Sequence, residues 1–227
     1  MRRIYADRAD AGRALAAALQ RWRSAPDTLV LALPRGGVPV AFEVARELDL
    51  PLDVVVVRKL GLPSQPELAM GAIASGGAVV VNEDVVRYLP ERGDAFEVVR
   101  AREQSELGRR EREYRGDRPA FDVKGRTGIL VDDGLATGAT MEAAVRALRA
   151  LGASRVVAAV PVASSEARDR IAAVADEVVC LATPDFFSAV GQWYQDFGQT
   201  SDGEVRDLLA RAHATLSSAG DAAGGGP

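Results

Sequence analysis

Residues 128–140 read GILVDDGLATGAT: glycine and apolar positions running into two adjacent carboxylates, Asp132 and Asp133, and then into a loop of Gly, Ala and Thr. The apolar run predicts a buried strand, GRTGILVDD, and the apolar spacing of TMEAAVRALRALGA (140–153) predicts a helix directly after the loop. A buried strand should avoid ending on two like charges, because each disfavours ionisation of the other. The loop suggests a use for them. A small-residue turn at a helix N-terminus presents free backbone N–H groups and the positive end of the helix dipole, which together favour a phosphate. The hydroxyls of Thr137 and Thr140 can add donors, and Gly138 permits close approach. No Gly-Lys-Ser/Thr follows, so this is not a Walker A loop. Two ionised carboxylates beside such a cradle can accept hydrogen bonds from vicinal hydroxyls, as on a ribose, or help bind a hydrated Mg2+. The ordinary alternative is that the pair only caps a loop or a helix.

Working outward, TLVLALP (28–34) is a short apolar run ending at PRGG, which reads as a buried strand and a tight turn. VPVAFEVARELDL (38–50) is helical in period, and PLDVVVVRKLG (51–61) is β-branched and predicts a second buried strand. This is a βαβ unit with parallel pairing. Residues 61–82, mixing Pro, Gly and Ser with short apolar stretches, read as a mobile loop with a short strand or hairpin near Ala78 to Val81. The Arg- and Glu-rich run over 92–118 reads as a solvated helix with i,i+4 ion pairs. SRVVAAVPV and DEVVCLA supply a fourth and a fifth strand, with the helix SSEARDRIAAVA between them. Helices over 8–22, with Asp7 or Asp10 as N-cap, and in SDGEVRDLLARAHATL lie at the two ends. The predicted fold class is α/β: an open, mostly parallel five-stranded sheet with helices on both faces, a small hood and a helical insertion.

Composition narrows the function. The chain has 227 residues, 48% of them hydrophobic, and a net charge of −4, so no electrostatic footprint for non-specific nucleic-acid binding is present. Runs such as Val54 to Val57 are too short to span a bilayer, and MRRIYADRADAG has no apolar segment of the signal-peptide kind. These features imply a cytoplasmic protein without a membrane partner. The single cysteine, Cys180, sits in an apolar run and reads as a small core residue; the single histidine, His213, reads as a solvated helix-end residue. A Cys/His zinc site or a Ser-His-Asp triad is poorly supported on those counts.

In open α/β sheets, ligands bind beyond the carboxyl ends of the strands. PRGG, RKLG and DDGLATGAT all fall on that edge. VDDGLATGAT resembles the phosphoribosyl-pyrophosphate (PRPP) motif of the type I phosphoribosyltransferases: apolar residues, two acids, three positions, then Thr-Gly-x-Thr. The resemblance extends over roughly residues 28 to 200 and is closest to uncharacterised bacterial members of this length. It implies a PRPP-dependent pentosyltransferase in which Asp132 and Asp133 hold the ribose hydroxyls and, through water, Mg2+. It implies that Ala136, Thr137, Gly138, Ala139 and Thr140 cradle the 5-phosphate. Pro34, Arg35, Gly36 and Gly37 match the family's pyrophosphate loop, which often contains a strained peptide bond. Arg35, Arg58 and Lys59 are the candidate cations for the diphosphate, and 61–80 corresponds to the family's flexible loop. The cluster of Phe186, Phe187, Val190 and Trp193 resembles the segment lining a nucleobase pocket; its alternative is a packed loop anchoring the hood.

Two departures bear on the acceptor. Purine-salvage relatives carry an acid where this chain has Ala136, and a lysine after the fourth strand where it has VPVASSEA, which argues against a 6-oxopurine. The implied substrates are PRPP, a nitrogenous base and pyrophosphate, and the implied assembly is a homodimer. The competing reading is a PRPP-sensing regulator without catalysis. As domains, the sequence suggests one unit over 1–216, with a core at about 28–182, a helical insertion at about 83–118, a hood from the N-terminal helix and 183–213, and a disordered tail over 217–227.

Overall fold

Central strands of a parallel sheet are covered on both faces, so their sequences carry no polar alternation. In the computed structural model, which describes residues 4–87, 94–116 and 118–223, the apolar runs in TLVLA, TGILV and RVVAAVPV occupy those positions. From the N-terminus, α1 (Arg8–Ala18) leads to β1 (Thr28–Ala32), α2 (Gly37–Leu48) and β2 (Leu52–Val54). Next come β3 (Val57–Leu62), β4 (Gln65–Ala74), β5 (Ala78–Val81), α3 (Glu83–Val86) and α4 (Asp94–Arg115). The chain then runs through β6 (Thr127–Val131), α5 (Ala139–Ala150), β7 (Arg155–Val162), α6 (Ser165–Ala172), β8 (Glu177–Ala182) and α7 (Asp202–Ala223).

The main sheet has the order β2-β1-β6-β7-β8, every neighbour parallel, as expected for the fold class. One face is covered by α1, α2 and α7 through Leu15, Val40, Val44, Leu48 and Leu209. The other is covered by α5 and α6 through Met141, Val145, Leu148 and Ile171. Register decides where function can sit. Ala32 pairs with Val131, and Val131 with Ala159, so the loops leaving β1 and β6 start side by side at one edge.

The expected second strand is two strands in two sheets. Val55 N still donates to Ala32 O at 2.9 Å, but Val56 N turns to the buried Ser75 Oγ at 2.9 Å. From Val57 the chain pairs antiparallel with β4, and β4 pairs with β5. Residues 61–82 are thus mostly sheet rather than loop. Gly71 makes this possible, since a side chain there would run into the carbonyl of Val80. Arg58 and Leu60 face α4, where Arg58 meets Glu103 and Leu60 packs with Val99 and Leu107; Val57 and Lys59 project to the opposite face.

The charged run over 92–118 forms α4 in its described part. It is solvated on most sides, with Arg109 bridging Glu106 and Glu113, but Val99, Glu103, Leu107 and Tyr114 form a buried stripe. Arg115 donates to Asp53 at 2.9 and 3.2 Å and to Val54 O at 2.7 Å, fastening the helix to β2. Residues 88–93 and 117 of that expected insertion lie outside the described residues.

The N-terminal segment and the stretch after β8 are one unit. Ile4 N and Tyr5 N donate to Trp193 O, and Gln195 N returns to Tyr5 O. Tyr5 Oη donates to Pro161 O at 2.9 Å, and burial pushes its phenol up to about 12. The helix α7 continues to Ala223, beyond position 217 where a disordered tail was expected; residues 224–227 lie outside the described ones. His213 sits within α7, partly buried, and burial lowers its pKa. Cys180 lies in β8 with its thiol donating to Ala182 O at 3.2 Å. Among the described residues, no helix is long and apolar enough to cross a membrane.

Candidate phosphoribosyl site

The loop after β1 lies directly on the aspartates that end β6. The Pro34–Arg35 peptide is cis. A side chain at Gly36 would collide with the Asp133 carboxylate, and one at Gly37 would come within 2.7 Å of Val131 O and 2.9 Å of Asp132 Cα. Glycine is required at both positions by this contact, so PRGG and the acid pair form a single surface.

Asp132 Oδ1 accepts the backbone N–H of Asp133 at 2.8 Å. Asp133 Oδ2 accepts from Arg8 Nε at 2.8 Å, with both side chains only 13% exposed. The hydroxyl of Tyr194 donates to the Asp133 carbonyl at 2.6 Å. Burial pushes the Asp132 carboxyl well above the usual carboxylate range, and the adjacent Asp133 adds to that. Burial also raises Asp133, against the opposing pull of Arg8. The pair is therefore charged at an energetic cost, which a ligand bringing hydroxyl donors or a cation would relieve. Burial and the nearby Asp133 hold the Tyr194 phenol far above its ordinary value, so it remains a donor at physiological pH.

The threonine loop is held from behind. Leu135 N donates to Val162 O and Ser164 N to Leu135 O, both at 2.9 Å. Ser164 Oγ donates to Ala136 O at 2.9 Å while accepting Ala167 N at 3.0 Å, capping α6. Gly138, in the left-handed region at φ 75°, turns the chain into α5. Thr137 Oγ1 accepts from Ala139 N at 3.4 Å, Glu142 N donates to Gly138 O at 2.8 Å, and Thr140 is exposed in the first turn of α5.

The three candidate cations divide. Arg35 leaves the glycine loop toward the start of α7, its guanidinium 3.8 Å from Asp202, which also accepts from Tyr114 Oη at 2.7 Å. Arg58 donates to Glu103 at 2.9 and 2.6 Å, on the sheet face turned away from the threonine loop. Lys59 lines a cavity of about 600 Å³ shared with Val57, Ala72, Val80, Thr140 and Arg146. The structure thus brings Lys59 to the wall that holds Thr140 and commits Arg58 to α4.

The aromatic segment divides as well. Val190 sits over Gly134, where an added Cβ would approach it to 2.7 Å. Trp193 is 4% exposed and packs with Tyr5, Tyr194 and Val162; its ring centroid lies 6.2 Å from that of Phe187. Phe186 is 80% exposed. Three contributors escaped the sequence reading: Arg8, Tyr194 as a donor to Asp133, and Ser164. Only Ser164 left a local signal, as a Ser three positions before the apolar face of a helix.

A family model described as the phosphoribosyl transferase domain matches residues 3–197. The chain belongs to this phosphoribosyl transferase family. Two curated Mycobacterium tuberculosis proteins, from strains CDC 1551 / Oshkosh and H37Rv, are named provisionally as phosphoribosyl transferases and are each 52% identical to it over 218 residues. The match covers 96% of this chain and 49% of each relative, so the chain spans about half the length of the curated relatives it matches. The crystal structure of TT1426 from Thermus thermophilus is 47% identical, superposes with a TM-score of 0.83, and is matched over 92% of this chain and 98% of its own. This phosphoribosyl transferase fold therefore places the acid pair, the glycine loop and the threonine loop on one edge of a five-stranded parallel sheet.

Proposed function

We propose that this phosphoribosyl transferase takes the phosphoribosyl group from PRPP, with Mg2+, and transfers it to a nitrogenous base, or runs the reverse pyrophosphorolysis. The observation that carries the reading is the Asp132–Asp133 pair, held at the end of β6 against Gly36 and Gly37 and opening onto the N-terminus of α5. Asp132 and Asp133 would accept hydrogen bonds from the ribose 2- and 3-hydroxyls, and Ala136 to Thr140 would hold the 5-phosphate. The two glycines would let the backbone approach the diphosphate, with the Gly36 N–H, Arg35 and Lys59 to receive it, since the Gly37 N–H already donates to Leu33 O.

The donor set fits an ion that arrives with its substrate. Among the described residues, no three His, Cys, Asp or Glu side chains gather to hold a metal, while two carboxylates at a phosphate site suit Mg2+ sharing its shell with phosphate oxygens and water. Mg2+ bound there would neutralise charge on the diphosphate. The bond from C1 to the pyrophosphate oxygen breaks with its electron pair going to that oxygen, and a bond from an acceptor nitrogen to C1 forms on the opposite face. The protein's part is positioning and electrostatic stabilisation, with water kept from the cationic sugar.

Ala136 and the absence of a lysine in VPVASSEA argue against a 6-oxopurine acceptor. A homodimer in the cytoplasm and a single domain over 1–216 with a hood from α1 and 183–213 belong to the same reading. Titration calorimetry with Mg2+ and PRPP tests the donor, and pyrophosphate release against a panel of bases tests the transfer. Asp133→Asn should severely weaken PRPP binding or turnover, a loss on the order of a few kcal/mol in the transition state. Unchanged PRPP kinetics in that variant would overturn the assignment.

A further inference from the structure

Arg8 begins α1 and stands 125 residues from Asp133 in the chain, yet it is the side chain most firmly attached to the acid pair. Its Nε donates to Asp133 Oδ2 at 2.8 Å and its NH1 to Gly198 O at 2.7 Å. The guanidinium carbon lies 3.9 Å from the centre of the Phe197 ring. A carboxylate, a carbonyl and an aromatic face therefore restrain one planar group. The start of α1 is itself fixed, because Asp7 Oδ1 caps Asp10 N at 2.7 Å and Asp196 N donates to Ala6 O at 2.8 Å.

The hydrogen bonds of the two aspartates are complementary. Asp132 uses Oδ1 for the Asp133 N–H, and Asp133 uses Oδ2 for Arg8. Among the described residues, Arg8 is the side-chain donor to the pair, and it reaches Asp133 Oδ2; the other donor is the Asp133 backbone N–H. One oxygen on each carboxylate thus has no side-chain donor among the described residues, which matches two vicinal hydroxyls on a sugar. Gly36 closes the other side of Asp133 Oδ2, so that oxygen is enclosed between Arg8 and the glycine loop.

We propose that Arg8 is a positioning residue of the phosphoribosyl site: it ties down one oxygen of Asp133 so that the other is aimed at a ribose hydroxyl. The proposal rests on the PRPP reading above. It assigns to the hood a direct part in donor binding, because Arg8 is held by Phe197 and Gly198 of the segment after β8. Arg8 acts through Asp133 and touches no reacting atom. A planar guanidinium also suits the role better than an ammonium, since it can donate from Nε and NH1 in fixed directions while stacking on Phe197.

The test compares three ligands by titration calorimetry on the full chain: PRPP with Mg2+, ribose 5-phosphate, and pyrophosphate with Mg2+. Arg8→Gln should weaken PRPP and ribose 5-phosphate by about tenfold or more, the loss expected for a charge-assisted hydrogen bond. Pyrophosphate, which meets the glycine loop and not Asp133 Oδ1, should stay within about twofold. Arg8→Lys should regain part of the sugar affinity, and adding Arg8→Gln to Asp133→Asn should cost little more than Asp133→Asn alone. Equal loss for all three ligands, no loss, or full additivity with Asp133→Asn would each overturn the proposal. If Arg8→Gln fails to fold, Arg8→Lys carries the test with the same ligand pattern at smaller amplitude. Wild-type protein that binds pyrophosphate but neither sugar ligand would overturn the PRPP reading and this proposal together; wild-type binding of PRPP with the wrong Arg8 pattern overturns this proposal alone.

Discussion

Gly36 and Asp133 are in contact, and the contact leaves no room for a single additional carbon at position 36. The two residues come from different strands and are neighbours only because β1 and β6 pair in register at Ala32 and Val131. Gly36→Ala should displace the carboxylate or the loop. We expect PRPP affinity to fall by at least about tenfold, with a stability loss of about 1–3 kcal/mol typical of an overpacked site. Calorimetry with Mg2+ and PRPP, alongside thermal melting, checks both; normal PRPP affinity in Gly36→Ala would show that the loop and the clamp do not share one surface.

Asp132 gives a pH dependence whose sign follows from burial. Its folded-state pKa is raised by desolvation and by Asp133, so folding favours the protonated form. That contribution is fully present below the unfolded value of about 3.9 and is lost as pH rises through the folded value. Asp132→Asn keeps the acceptor oxygen for the Asp133 N–H but cannot ionise. Without ligand, the variant should melt at least about 2 °C above wild type at pH 8, with the gap closing toward pH 4, given about 2–4 °C per kcal/mol for a chain of this size. It should also bind PRPP poorly, so stability and function would move in opposite directions. A gap of the same size at both pH values would contradict the burial argument.

The sequence was most legible where burial is most complete. Runs such as TLVLA and RVVAAVPV lack alternation because both of their faces are covered, and that is the signature of a central parallel strand. The same rule misled at DVVVVRKLG. The run has no Gly or Pro to mark the point near Val56 where the chain leaves one sheet for another, and the switch is made by Ser75, nineteen residues away. The mixture of Pro, Gly and Ser over 61–82 suggests a loop, whereas one of those glycines, Gly71, serves the close approach of Val80 in the sheet. The acid pair and the threonine loop are adjacent in sequence, so their juxtaposition at the end of β6 is legible from one contiguous stretch. Arg8 was not, because an arginine opening an amphipathic helix carries no local sign of a partner on β6.

Arg58 and Lys59 are adjacent in sequence and opposite in role, because successive strand residues point to opposite faces. Arg58→Met leaves the 7% exposed Glu103 paired only with Arg102 among the described residues, and should cost about 1–3 kcal/mol in stability while leaving PRPP affinity within about twofold. Lys59→Met, on the face that shares a cavity with Thr140, should cost less stability than Arg58→Met and weaken Mg2+·PRPP by about tenfold. Denaturant melts and calorimetry on the two variants separate these outcomes. A reversed pattern would return Arg58 to the diphosphate.

The aromatic segment offers the same kind of separation for the acceptor. Trp193 is buried among Tyr5, Tyr194 and Val162, where it joins the N-terminal segment to the stretch after β8, and Trp193→Ala should cost about 3–5 kcal/mol. Phe186 is 80% exposed, so Phe186→Ala should shift stability by no more than about 0.5 kcal/mol. An exposed aromatic in the segment after β8 is a candidate stacking face for a flat heterocycle. With PRPP saturating, Phe186→Ala should raise the KM of whichever base supports pyrophosphate release, with kcat and the PRPP affinity nearly unchanged, because stacking binds ground and transition states alike. If instead Phe186→Ala leaves that KM untouched, the base is held elsewhere, and Val190 becomes the position to vary, since it packs over Gly134, the residue that follows Asp133.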